Sequence, residues 1–183
     1  LALSFPKHGH PAFAWIALTP LVICAWQATS RRQAFLLGLL AGAAYFWGTL
    51  YWLIETMTTF GGLSTVTAVF AAFLLVAYLS LFPAVFSVTL AIIRRRMGAW
   101  ALALVAPVWV TTELGRQYVW DGFPWALLGY SQVTVLPVAQ IASVVGVYGL
   151  SGLLAFVSAA LAAPVVLSGR TRLIYPLVAA VLV

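Results

Sequence analysis

Long apolar runs, each closed by a short polar or glycine-rich break, set the rhythm of this chain. Pro11 to Thr29 is an apolar run preceded by the turn-like segment Phe5-Pro6-Lys7-His8-Gly9-His10 and followed by Arg31 and Arg32. Ala34 to Ile54 is a second run, ending on Trp47, Tyr51 and Trp52, aromatics of the kind that gather at a membrane boundary. Within it, Gly38 and Gly42 form a G-x-x-x-G pair that would let a neighbouring helix approach closely. Glu55 to Gly62 reads as a loop. Leu63 to Ile93 is then long enough to cross with tilt or with a bend near Pro83, and Arg94 to Arg96 close it. Trp100 to Thr112 leads back to a polar, turn-rich insert at Glu113 to Gln132. Val133 to Leu167 is too long for one straight crossing, so Pro137 is expected to divide an interfacial piece from the span that ends before Ser168.

A helix rising about 1.5 Å per residue needs about 20 apolar residues to cross about 30 Å of hydrocarbon. The pattern therefore predicts an all-α polytopic transmembrane helical bundle. It has about five full spans, at residues 11–29, 34–54, 64–93, 99–114 and 138–167, and two partial ones at 1–4 and 173–183, in a single transmembrane domain. The chain begins with Leu1 and its last apolar run, Leu173 to Val183, is shorter than a span, so it reads as a piece of a longer protein. Composition sharpens the same picture: 64% of residues are hydrophobic and 7% charged, against roughly 45–50% and about 25% in soluble domains.

The net charge of +6 would fit a nucleic-acid partner if it formed a broad basic face, but seven of the nine basic residues fall in three tight clusters. These are Arg31 with Arg32, Arg94 to Arg96, and Arg170 with Arg172, each lying between apolar runs. They read as cytoplasmic anchors under the positive-inside bias, and nucleic acid is excluded as a partner. Two crossings separate each cluster from the next, which returns all three to one side. That leaves the insert at 113–132 exposed on the other.

Chemistry-bearing residues are sparse. Glu113 and Arg116, three apart, share a face of a helix end. That spacing suits either an interfacial ion pair that fixes the helix or direct contact with a headgroup or peptide substrate. Phe123, Pro124, Trp125 and Tyr130, with Gly122, form either an aromatic belt or a rigid lip over which a lipid chain enters. Asp121 reads as a turn residue and Glu55 as a hydrated loop residue. His8 and His10, without acidic or cysteine companions, do not make a metal site. Cys24, the sole cysteine, sits inside an apolar run with no neighbouring base and reads as a small buried hydrophobe. Gly146, Gly149 and Gly152 suit close helix packing; a dinucleotide reading fails for want of a preceding strand. No Ser/His/Asp or Cys/His arrangement, phosphate loop or paired catalytic carboxylates is present, so the residues alone identify no reaction centre.

The order of motifs nevertheless resembles one family. Glu113-x-x-Arg116, Gly122-Phe123-Pro124-Trp125 and Gly129-Tyr130-Ser131-Gln132 resemble the membrane domain of bacterial apolipoprotein N-acyltransferases. Phe5-Pro6, Trp15 to Leu21, Tyr45 to Trp52, Phe60-Gly61-Gly62, Ala77 to Leu81 and Gly146 to Gly149 stand in the family's order. The resemblance implies a bundle in the bacterial inner membrane, with the arginine clusters cytoplasmic and loops 5–10, 55–62 and 113–132 periplasmic. It also implies a nitrilase-like domain whose Glu-Lys-Cys set takes an acyl chain from phospholipid as a thioester and passes it to the N-terminal amine of diacylglyceryl-cysteine lipoproteins. No counterpart of that set lies in these residues. The resemblance therefore implies a phospholipid donor, a lipoprotein acceptor, no cofactor and a monomer. It assigns this chain substrate positioning at Glu113, Arg116, Gly122, Phe123, Pro124, Trp125 and Tyr130, and leaves it inactive alone. Two other readings stand beside it. A small transporter or channel would place ionisable or broken-helix sites near the bilayer midplane; alternatively, a scaffold of this kind serves a fused polyprenol-phosphate glycosyltransferase.

Overall fold

A computed structural model describes residues 1–5, 9–120 and 122–182, and the described residues are helices, short 3-10 turns and loops. The helices are α1 (Thr19–Gln27), α2 (Arg31–Leu50), α3 (Trp52–Thr59), α4 (Thr65–Met97), α5 (Val105–Tyr118), α6 (Leu136–Ala139), α7 (Ala142–Val166) and α8 (Thr171–Leu182). Three segments, Arg31–Leu50, Thr65–Leu102 and Ala142–Val166, are long and apolar enough to cross a bilayer. Pro11–Gln27 and Thr171–Val181 are shorter apolar helices. The chain is an all-α membrane bundle.

Local chemistry sets the helix limits. Ser30 caps α2 by accepting the Gln33 N–H at 3.1 Å, and Ser64 caps α4 by accepting the Thr67 N–H at 3.2 Å. At the other end of α4, Gly98 takes a positive φ of 56°, a conformation that suits glycine at a helix stop. α4 runs unbroken through Pro83, and Ser87 Oγ donates to the Pro83 carbonyl at 2.9 Å. The stretch expected to be a loop at 55–62 is helical as far as Thr59. Thr56 and Thr58 donate back to the carbonyls of Trp52 and Ile54, four residues earlier, so these hydroxyls find partners inside the helix. Gly61 and Gly62 follow in the turn before α4.

Packing is closest between α2 and α4. A Cβ on Gly38 would fall onto the Pro83 carbonyl and Ser87 Oγ, and one on Gly42 would lie 2.8 Å from Ser80 Cα. The G-x-x-x-G pair thus lets the two backbones meet. The main core joins Leu18, Leu21, Val22 and Ala25 with Phe86 and Leu90 of α4, Trp109 of α5 and the alanines at 155, 159, 162 and 163 of α7. Phe86 and Trp109 meet edge to face, 5.2 Å apart at 86°.

The three arginine clusters gather at one end. Arg95 Nη2 donates to the Thr29 carbonyl at 2.7 Å, and the Arg94 guanidinium lies 5.7 Å from the Trp26 ring, which ties the end of α4 to the α1–α2 turn. Tyr175 donates its hydroxyl to the Ala99 carbonyl at 2.8 Å and brings the start of α8 alongside. α2 leads away from this end and delivers Tyr45, roughly 21 Å along its axis, to the loop that follows α5.

Candidate functional site

α5 carries a polar stripe into that far end. Trp109, Thr112, Glu113 and Arg116 follow at three- and four-residue steps, so all face inward, and all are buried. Glu113 is only 2% exposed and Arg116 3%. The expectation of an insert exposed along its whole length therefore needs correcting: Glu113, Arg116 and residues 126–129, 131 and 132 are buried, while Tyr118, Val119, Trp120, Pro124, Trp125 and Tyr130 are exposed. The physical reason is the backbone of the loop itself, whose N–H and C=O groups need partners near a membrane. Here the protein supplies them.

Glu113 Oε1 accepts the Leu128 N–H at 2.8 Å and the Trp109 indole N–H at 3.1 Å. Arg116 Nη2 donates to the Ala126 carbonyl at 3.3 Å, and the Tyr45 hydroxyl donates to the same oxygen at 2.6 Å. The Arg116 guanidinium lies 5.1 Å from the Phe46 ring, within cation–π range. Neither Glu113 Oε2 nor Arg116 Nε has a hydrogen-bond partner. The two residues share a face, as their spacing requires, but each bonds the loop, and Glu113 also Trp109, rather than the other. Ser151 of α7 accepts the Gly129 N–H at 2.8 Å, and Gln132 Nε2 donates to the Pro11 carbonyl at 2.9 Å. Tyr148 and Gln117 are hydrogen-bonded across α7 and α5.

Between these anchors the loop is tightly bent. Trp120, Gly122 and Ala126 have φ of 55°, 74° and 55°, a region that costs a residue with a side chain about 1–2 kcal/mol. A Cβ at Gly122 would also strike the Gln117 carbonyl, so this position needs glycine. Phe123 N–H closes the bend onto the Arg116 carbonyl at 2.8 Å. Tyr78 steadies the tip, donating to the Val119 carbonyl at 3.2 Å and packing 5.2 Å from the Trp120 ring. Asp121 lies outside the described residues, as does His8. His10 accepts the Ala12 N–H through Nδ1 at 3.2 Å, a local capping role.

The exposed aromatics border two grooves. The larger, about 650 Å³, is lined by Phe5, Thr49, Tyr51, Trp52, Trp125 and Tyr130 among others. Trp125 sits between Trp52 at 5.8 Å and Phe123 at 5.4 Å between ring centres. A shallower groove of about 410 Å³ runs between Leu74, Leu75 and Tyr78 on α4 and Val119, Trp120, Gly122 and Phe123 on the loop. The structure thus brings Trp125 and Tyr130 to one groove and Gly122 and Phe123 to the other. Glu113 and Arg116 are set apart behind the loop, where they touch Phe46, Phe82 and Trp109 rather than either groove. Sequence reasoning missed Tyr45, Trp109 and Ser151 in this arrangement. Trp109 stands one helical turn before Glu113, a spacing that would have flagged it; Tyr45 and Ser151 come from distant helices and had no local signal.

Residues 1–160 match the family model described as the apolipoprotein N-acyltransferase N-terminal domain. The apolipoprotein N-acyltransferase of Geobacter metallireducens is 41% identical over 146 residues, which cover 79% of this chain and 27% of that protein. That of Photobacterium profundum is 30% identical over 175 residues, 95% of this chain and 34% of its own length. That of Nitrosomonas europaea is 37% identical over 130 residues, 70% and 26% respectively. The matched region thus spans between about a quarter and a third of these relatives.

Proposed function

This chain belongs to the apolipoprotein N-acyltransferase family, and from that premise we propose that it is the lipid-handling membrane domain of a transferase in the bacterial inner membrane. The transferase moves an acyl chain from phospholipid to the N-terminal amine of diacylglyceryl-cysteine lipoproteins, and the bond-making residues lie outside these 183. The observation that carries the reading is the 650 Å³ groove, within the roughly 300–1,000 Å³ of small-molecule sites. It opens at the end of the bundle opposite the arginines, and aromatic rings that suit acyl tail and headgroup together form its rim.

In this reading Trp125 and Tyr130 touch lipid, Phe123 and Pro124 stiffen the lip, and Gly122 lets it bend. Glu113 and Arg116 are positioning residues, holding the loop from behind. The arginine end faces the cytoplasm and the loop the periplasm, in keeping with the positive-inside bias. A chimera joining this chain to the remaining part of the Geobacter metallireducens relative tests it in proteoliposomes holding a diacylglyceryl peptide. The chimera should form triacyl peptide, and the chain alone should form none. Acylation by the chain alone would overturn the reading, as would an active chimera whose rate is untouched by both Trp125→Ala and Tyr130→Ala.

A further inference from the structure

Seven of the nine basic residues stand at the end of the bundle that the acyl-transfer reading leaves unused. Arg31 and Arg32 open α2, Arg94 to Arg96 close α4, and Arg170 and Arg172 border the start of α8. Arg95 joins the first two groups through Thr29, and Tyr175, one turn into α8, joins the third through Ala99. The sequence holds three acidic residues. The two that are described, Glu55 on α3 and Glu113 on α5, belong to the opposite end, beside Trp52 and Leu128. No described carboxylate therefore neutralises this cluster.

We propose that the arginine end is a binding surface for the phosphates of anionic glycerophospholipids, with Arg95 and Arg94 as its centre. The inference does not depend on acyl transfer, since it concerns the other end of the molecule.

Two features distinguish the surface from a scatter of free charges. First, its central side chains are already oriented. Arg95 commits Nη2 to the Thr29 carbonyl, leaving most of its five N–H donors for a phosphate, and Arg94 packs over Trp26. Pre-ordered guanidinium forks lose less entropy on binding and match phosphate oxygens in pairs. Second, its surroundings are those of a membrane boundary. Trp100, 72% exposed, and the exposed Met97, Leu173 and Ile174 border the arginines directly. A polyanion in water would meet apolar side chains there, whereas a lipid places its phosphate on the arginines and its acyl chains along the apolar flanks. That juxtaposition selects lipid over nucleic acid, which would need an uninterrupted basic face.

The test uses the intact chain in phosphatidylcholine nanodiscs, with phosphatidylglycerol raised stepwise and the thermal unfolding midpoint followed. A second readout on the unmodified chain, energy transfer from its tryptophans to dansyl-phosphatidylglycerol or dansyl-phosphatidylcholine, reports binding without any substitution. The midpoint should rise saturably with the anionic fraction, and transfer to the anionic probe should exceed transfer to the zwitterionic one. Both effects should shrink in high salt. Replacing Arg94→Gln together with Arg95→Gln should weaken phosphatidylglycerol about 25-fold, from about five-fold per arginine near an anionic surface. Arg94→Lys with Arg95→Lys should fall between the parent and the glutamine pair, keeping the charge and losing the paired phosphate contact. Equal transfer to both probes overturns the proposal. So does a midpoint shift reproduced by inorganic phosphate or a short RNA at matched charge, or one unchanged by the glutamine pair.

Discussion

Removing the Glu113 carboxylate is the sharpest perturbation of the loop. Its Oε1 is the acceptor for two buried donors, the Leu128 amide at 2.8 Å and the Trp109 indole at 3.1 Å. Glu113→Ala orphans both and leaves a space beside Phe46 and Phe82. Each unsatisfied buried donor costs about 1–3 kcal/mol, while interhelical hydrogen bonds inside membrane proteins average about 0.6 and reach about 1.7 kcal/mol. Weighing the two, about 2–4 kcal/mol is expected for the pair. Glu113→Gln keeps an oxygen at the same reach, loses the charge assistance and brings an amide NH2 group into the site, and should cost about half as much.

The assay is unfolding in mild detergent for the two variants and the parent, with hydrogen exchange of the Leu128 amide as a local readout. The expected order is parent, Gln, then Ala, with Leu128 exchanging fastest in Ala. If Ala unfolds within about 0.5 kcal/mol of the parent, the range of an ordinary surface change, and Leu128 exchange is unaltered, then Glu113 does not hold the loop. A further discriminating result is Gln falling below Ala. That would mean the amide N–H groups that glutamine brings beside Arg116 cost more than its oxygen contributes, and the hydrogen bonds to Leu128 and Trp109 would not be what holds the loop.

Gly42→Ala drives a Cβ to 2.8 Å from Ser80 Cα and should cost about 1–3 kcal/mol by overpacking. By contrast, Gly115→Ala meets only the Phe82 ring at 3.5 Å and should gain about 0.5–1 kcal/mol from helix propensity; the two midpoints compared directly check both. Tyr45→Phe removes the hydroxyl from the Ala126 carbonyl, which keeps Arg116 as a partner, so a loss of about 0.5–1.5 kcal/mol is expected in the same unfolding assay. In a Cys24→Ser background, Arg96→Cys and Trp120→Cys should react with an impermeant maleimide from opposite faces of sealed vesicles; labelling from one face would refute the arrangement of the two ends.

What the sequence made legible depends on the range of the interactions involved. Apolar runs and their arginine or glycine breaks mark helices because membrane burial acts residue by residue, and the Gly38–Gly42 pair marks a close contact without naming its partner. The helix at Trp52–Thr59 was missed because Glu55 and three threonines read as polar loop, although two of the threonine hydroxyls bond within their own helix. Glu113 and Arg116 were located, but their surroundings were not. Burial at 2–3% is set by Tyr45 and Phe46 of α2 and Ser151 of α7, residues far apart in the chain with no periodic relation to the insert.

That placement divides labour within the insert. A turn-rich loop at a membrane surface has backbone groups that must bond to water, headgroup or protein. Here protein takes the central ones: Leu128 goes to Glu113, Gly129 to Ser151, and Ala126 to Arg116 and Tyr45. Each of these buried side chains bonds loop backbone. Under the proposed function, lipid recognition then falls to the residues left outward, the rings of Trp125 and Tyr130 along the larger groove and of Trp120 and Phe123 along the smaller. It follows that substitutions at Glu113 or Arg116 should disturb stability and lip geometry together, whereas Trp125→Ala should leave unfolding nearly unchanged and alter only the handling of lipid. If Trp125→Ala instead proves as destabilising as Glu113→Ala, the aromatic rim belongs to the core of the loop and the division fails.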